Sequence, residues 1–494
     1  MTRKAKPSAM IVLFVALAQA SVTLAQSPGT FTATGRMTTP RAGHTATLLT
    51  SGKVLIAGGR SLGFTTLASA ELYDPDRGTF APTGDMTAAR SHHTATLLPD
   101  GRVLIAGGST SAGQGLIPSN GAEIYDPSTG TFTATGNMIG SHVCQQANLL
   151  GNGKILIAGG SVGGPEDRVP NAELYDPATG AFAATGAYVT DTHVYGFNTC
   201  QGAVSTLLPD GRVLIVFESG DAELYDPSAG LFTRTGNPIG GGHNDGLPTA
   251  TLLMNGKVLV AGGAWDGDLA PTGAELYDSR TGTFIATGNM ITGHVLSTAT
   301  LLPDGTVLMA GSFVFPGELA NAEVYGPVTG AFTATGNLIT ARGDGQTATL
   351  LNSGQVLVAG GFSLYPAVTS NAEIYRPLVI VDAPALSNLS EDVGGQGAIW
   401  HAATGQVASP ANPAHGGEVL AMYTNSLFDG GVIPPQISVG GRLAEVLFFG
   451  NAPGFPESNQ VNFRVPAGVA AGPAVPVRLT YLGRWSNAVT IAVQ

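Results

Sequence analysis

The chain is short of charge, cysteine and aromatic residues. Charged residues make up 11%, aromatic residues 7%, and Cys144 and Cys200 are the two cysteines. So little charge excludes a long coiled coil, whose seam is flanked by ion pairs, and a charge-rich disordered chain. Two cysteines exclude a disulfide-built miniature scaffold. Basic residues are the scarcer sign, 22 Lys and Arg against 34 Asp and Glu, for a net charge of −12. Nucleic acid and anionic membrane surfaces are therefore not expected partners.

Long hydrophobic runs are also missing, with one exception. Ala9 to Ala18 is apolar, follows Arg3, Lys4 and Lys6, and precedes small residues that offer cleavage after Ala20 or Ala25. The run is about half the roughly 20 residues a spanning helix needs. It reads as a secretory signal peptide over residues 1–25. The expected protein is secreted or at the cell surface, the periplasm included, with no membrane span. Cys144 and Cys200 then sit where disulfides persist, and bridging them is the expected use of the pair.

What the chain has instead is glycine, 70 of 494 residues, together with 31 prolines. The glycines are periodic. VLIAGG begins at Val54 and Val103, ILIAGG at Ile155, VLVAGG at Val258 and Val356, VLMAGS at Val307, and a degraded VLIVFE at Val213. Each unit of about 50 residues reads in one order: a strand ending in Leu-Leu, a tight turn, the VLIAGG strand, a variable loop, AELYDP, then TGTFTATGNM. Four strands per unit follow, with Asp-Pro and Gly placed where turns require them. Such units cannot bury their own faces, and radial repetition solves both burial and exposed edges.

These strings resemble the kelch repeat over about Thr30 to Pro377. The resemblance implies an all-β fold, a seven-bladed β-propeller over residues 29–380. The seventh unit ends at AEIYRP without its last strand, while an orphan GTFTATGRM stands at residues 29–37. The orphan is expected to complete the seventh blade. From about Ala385 the repeat stops, and residues 385–494 alternate strands with Gly and Pro turns, as an immunoglobulin-like β-sandwich does. GGRLAEVLFFGNAPG and VNFRVPAGVAAGPAVPV resemble TIG-type domains of exported bacterial proteins, which implies a spacer or docking role.

Glutamates 71, 123, 173, 223, 275, 323 and 373 recur once per unit. A residue used seven times serves the blade, so these read as structural. Chemistry is sought where the pattern breaks. The loop after the second strand and the junction between units share one face and carry the length variation. The junctions before blades four and five are the long ones.

His142, His193, His243 and His294 lie one each in the junctions before blades three to six and are the weak metal candidates, since neutral imidazole suits Zn and Cu. The competing reading is polar rim residues bonding loop backbone. His193, Tyr195, His243 and Asp245, with Trp265, Asp266 and Asp268, are the candidate ligand-binding residues, an aromatic platform beside carboxylates as sugar sites use. Asp245 with Glu218 is a weaker candidate for paired carboxylates of a hydrolase.

Exported kelch propellers followed by an immunoglobulin-like domain also resemble galactose and glyoxal oxidases. That resemblance implies a copper-radical site at the propeller axis, with a Tyr cross-linked to a Cys, a Tyr followed directly by a ligand His, and a His from the last domain. The sequence has no Tyr-His pair. Tyr195 with Cys200, and His401 or His415, fill those roles only by a forced assignment. The expectation is a monomeric, non-enzymatic binding protein for a glycan or protein, without a cofactor. A copper oxidase is the alternative, with calcium in the acidic loops a further option.

Overall fold

The computed structural model describes residues 29–494 apart from 111–114, 161–171, 191–202, 240–247, 264–271, 315–316, 379–380, 382, 388, 390–394, 426, 428–431, 454 and the side chains of 455–457. The expected signal peptide lies outside the described residues. Seven four-stranded antiparallel sheets follow one another, and an eight-stranded sheet ends the chain. The fold is a seven-bladed β-propeller followed by a curled sheet of β-sandwich type.

Within a blade the four strands run outward from the axis. In the first blade they are Thr45–Leu48, Val54–Ala57, Ala70–Asp74 and Thr79–Pro82. The innermost strands of successive blades neighbour one another around the whole ring. The VLIA strand is buried along its full length, with Val54 to Ala57 at most 1% exposed. It is apolar throughout rather than alternating because a neighbouring blade covers each of its faces.

The ATG string is a hook between blades. Its Thr hydroxyl meets the Tyr hydroxyl of the next unit in all seven places, from Thr34 with Tyr73 at 2.9 Å to Thr335 with Tyr375 at 2.9 Å. Its Gly N–H donates to a turn carbonyl of the next blade, Gly35 to Gly78 at 2.9 Å and Gly84 to Gly130 at 2.9 Å. A Cβ on Gly35 would stand 2.4 Å from the Gly78 oxygen, so this approach admits only glycine.

The last hook closes the ring: Gly336 N–H donates to Gly29 O at 2.8 Å. The strand Thr30–Ala33 pairs antiparallel with Ala372–Arg376 and is the outermost strand of the seventh blade.

Among the described residues, two blades depart from the common loop. In blade four Phe217 and Asp221 close a tight turn, with Phe217 N–H donating to Asp221 O at 2.9 Å. Phe217 stands where other blades have the first Gly of the pair. Tyr188 packs edge-on against it at 5.0 Å between ring centroids. In blade six the ladder runs on past the second strand's usual end, Val307–Val314 pairing with Gly317–Gly326 as one long hairpin. The β-prone Phe313, Val314 and Leu319 extend the ladder past a bulge at Gly311.

The C-terminal sheet curls around a core that includes Leu420, Ile437, Val461, Phe463, Val477, Leu479 and Ile491. It sits on the propeller face made by the tight turns between first and second strands. Leu443 N–H donates to Pro99 O at 2.6 Å, Gly354 N–H to Gly483 O at 3.0 Å, and Trp485 N–H to Asn352 O at 3.3 Å. The variable loops are on the opposite face.

Candidate binding site at the axis mouth

The loop face is organised by the seven repeated glutamates. Each accepts the backbone N–H of the third residue after the hook glycine, from Thr38 to Glu71 at 2.8 Å round to Ile339 to Glu373 at 2.7 Å. Three residues past that N–H donor, blades one, two and seven bury an arginine against the same carboxylate. Arg41 reaches Glu71 at 2.8 Å, Arg90 reaches Glu123 at 2.9 Å, and Arg342 reaches Glu373 at 2.6 Å. Each guanidinium also donates to a carbonyl of the second strand's end, Gly58, Gly107 or Gly360.

His142 and His294 occupy that arginine position in blades three and six. His142 lies 3.3 Å from Gly159 O and 3.3 Å from Glu173; His294 lies 3.0 Å from Gly311 O and 2.7 Å from Glu323. Each imidazole thus spans the same carboxylate and the same strand-end carbonyl that a guanidinium spans in blades one, two and seven. Both rings are fully buried. They tie the junction to the second and third strands of their own blade.

Next to this ring the chain turns into the axis. Gly43, His92, Cys144, Leu296 and Gly345 hold φ between 53° and 66°. A chain of backbone hydrogen bonds links four of the blades there: Gly43 N–H to Gly345 O at 2.8 Å, His92 N–H to Gly43 O at 2.8 Å, Cys144 N–H to His92 O at 3.0 Å. Cys144 is disulfide-bonded, and no cysteine among the described residues is free.

The following residue points into the ring and staples it to the preceding blade. His44 meets the Thr347 hydroxyl at 3.1 Å and His93 the Thr45 hydroxyl at 3.0 Å, while Gln145 donates to Ala106 O at 2.7 Å and Gln346 to Ala310 O at 3.1 Å. Burial, aided by Arg41 and Arg342, pushes His44 down to about 3. Burial and Arg60 push His92 down to about 4. Both are neutral imidazoles at physiological pH.

Outside this ring, blades seven, one and two bring together residues that break the repeat. Arg60 follows the first blade's Gly pair, donates to Ser91 Oγ at 3.1 Å and to Gly115 O at 3.1 Å, and lies within electrostatic reach of Asp344 and Tyr365. His92 Nδ1 is 3.2 Å from Ser91 Oγ. Burial pushes the Asp344 carboxyl up to about 6, with Glu318 adding, against the Gly345 N–H and Arg60. The Asp344 carbonyl accepts Phe362 N–H at 2.8 Å. Phe362 in turn packs with Tyr365 at 5.3 Å and Phe64 at 6.1 Å between centroids. A cation, a carboxyl group, a neutral imidazole and an aromatic cluster thus share the mouth of the axis.

The sequence reading did not select Arg60, His92, Asp344 or Tyr365. The signals were present: Arg60 stands where the second and third units have Ser109 and Ser161, and the junction carrying Asp344 is one residue longer than most. The candidates it did select, His193, Tyr195, His243, Asp245, Trp265, Asp266 and Asp268, lie outside the described residues, as does Cys200.

Among the described residues the donor set of the copper-radical site that the oxidase resemblance implies is not assembled. The described cysteine is already in a disulfide and carries no thiol for a Tyr cross-link. His401 has both ring nitrogens engaged inside the C-terminal domain, by Glu418 and by Asn412 O. His415 is exposed. Among the described residues no group of three or more His, Cys, Asp or Glu is placed to hold a metal ion.

No protein-family model matches the chain, and no curated protein matches it. Among solved structures it is similar to a fungal alcohol oxidase of the AA5 family in complex with copper, with a TM-score of 0.63 over 95% of this chain and 99% of that chain. The two are 17% identical, a likeness that shows the propeller-and-sandwich fold.

Proposed function

We propose that the protein is a secreted binding protein whose loop face recognises a glycan or protein ligand, with the C-terminal domain as spacer or docking module. One observation carries the reading. Among the described residues the C-terminal domain bonds to the face of repeating turns, through Pro99, Asn352 and Gly354, and not to the face that carries the polar and aromatic mouth. Ligand sites concentrate on such loops, positioned by a rigid scaffold.

The test is an array of neutral and acidic glycans probed with the exported protein, alongside a variant with residues 187–202 shortened and a Trp265→Ala variant. Binding weakened at least tenfold in either variant, with folding intact, supports the reading. The likeness to a copper alcohol oxidase favours the second reading, an alcohol or carbohydrate oxidase. Near-stoichiometric copper in the exported protein, with alcohol-dependent peroxide release, would overturn the binding proposal in its favour.

The same reading pairs Cys144 with Cys200, which staples the long junction before blade four to blade three. Non-reducing peptide mapping is expected to recover the linked pair. Two alkylatable thiols in exported protein would refute it.

A further inference from the structure

The aromatic cluster at the mouth is built as an exposed platform, not as core. Phe362 is its buried base, Phe64 leans on it, and Tyr365 is 56% exposed. Tyr365 also contacts Phe64, at 6.0 Å between centroids. The loop carrying it is clamped from the neighbouring blade: Glu318, on the long hairpin of blade six, accepts the backbone N–H groups of Leu364 at 2.8 Å and Tyr365 at 3.0 Å. Within the loop, Ser363 N–H donates to Ala367 O at 2.9 Å. The extra length of the blade-six hairpin therefore serves blade seven.

Backbone strain gathers in the same sector. Phe64, His92 and Leu364 hold φ of 60°, 53° and 60°, half of the six non-glycine residues with positive φ among those described. A bulky residue there is strained and persists where the surroundings over-determine it, commonly at ligand clamps.

We propose that Tyr365, Arg60, Asp344 and His92 form a binding site for a neutral saccharide. A sugar ring has an apolar C–H face and an edge of hydroxyls that each donate and accept. The first matches the open face of Tyr365 on its Phe64 and Phe362 support. The second matches a planar donor, Arg60, beside an acceptor, Asp344, and a neutral imidazole. The charges select against other ligands: Asp344 and Glu318 outweigh the single guanidinium, which disfavours an anion. The three rings pack on one another at 5.3 to 6.1 Å, so they enclose no cage for a quaternary ammonium. This site rests on the loop-face reading and narrows its ligand to one class and one sector.

The experiment is native affinity electrophoresis of the exported full-length protein through gels containing hydroxyethyl cellulose, xylan, glucomannan, galactomannan, laminarin or pullulan. Tyr365→Ala, Asp344→Asn and, as a control on the outer rim, Ile339→Ser are run beside the wild type. At least one polysaccharide is expected to retard the wild type and Ile339→Ser equally. Its affinity should fall at least tenfold in Tyr365→Ala and severalfold in Asp344→Asn, with melting temperatures unchanged. Equal retardation of Tyr365→Ala and wild type overturns this site and moves recognition to another sector, leaving the binding reading in place. No retardation of wild type by any of the six overturns the saccharide assignment. Failure of the binding reading itself is seen separately, as copper-dependent oxidation.

Discussion

Blades one, two and seven bury a guanidinium against the repeated glutamate, and blades three and six bury an imidazole in the same place. Blade four has neither: Glu223, fully buried, accepts the N–H groups of Val189 at 3.0 Å and Thr190 at 2.5 Å, with no cation among the described residues. The carboxylate is the constant and the cation is replaceable. What every blade uses is the grip on the incoming backbone; what differs is how the buried charge is balanced.

The largest break in that pattern should come from removing a cation. Arg342→Ala leaves Glu373 buried and uncompensated and is expected to cost about 3–5 kcal/mol in denaturant unfolding. A loss below about 1 kcal/mol would show that the N–H donors suffice. The comparison sharpens with Glu373→Gln against Glu223→Gln. The first strands a buried guanidinium and should cost about 3 kcal/mol. The second removes no ion pair among the described residues and should cost about 1 kcal/mol.

A second difference, at the axis, is read by pH. Blades one and two staple with His44 and His93, blades three and seven with Gln145 and Gln346. His44 is held down to about 3 and His93 well below 6.5, chiefly by burial. The unfolded chain therefore takes up protons first on acidification. The stability these imidazoles contribute is fully present above about pH 6.5 and is lost as pH falls toward their folded values. A His44→Gln/His93→Gln variant, carrying what the other blades use, should flatten the fall in melting temperature between pH 7 and pH 4. Parallel curves would refute the assignment.

Acid acts on blade three as well. Burial pushes the Glu173 carboxyl up, but hydrogen bonds from His142, Gly140 and Ile139 prevail and hold it below 4.5. Its contribution is present above pH 4.5 and is lost below that, as pH falls through the folded value. The smallest effect is expected on the rim. Ile139, Ile291 and Ile339 lend the glutamates only their N–H groups and leave their side chains exposed. Ile339→Ser should change stability by no more than about 0.5 kcal/mol.

The repeat made the blades legible because strand period, turn residues and burial all recur with it. The once-per-unit glutamate was legible as structural for the same reason. Its partner was not, since Arg41 and His142 fill one position with different chemistry, and only superposed blades reveal that two of the four junction histidines are arginine substitutes. The mouth cluster was hidden for a further reason. Arg60, His92, Asp344 and Tyr365 come from three blades and meet only because the ring closes, with Asp344 and Arg60 far apart in the chain. The extension of blade six was hidden because Ser312 to Leu319 fall in the segment that reads as a variable loop in every unit.

The seam of the ring sets an order of events for the newly made chain. Thr32 and Ile374 are hydrogen-bonded across 342 residues of sequence. Until Ala372–Arg376 is available, the strand at 30–33 has no partner and six blades stand as an open arc with two bare strand edges, each a template for pairing with another copy. Assembly is thus gated by the last propeller strand. A chain interrupted before residue 372 leaves behind an arc prone to self-association, not a smaller ring.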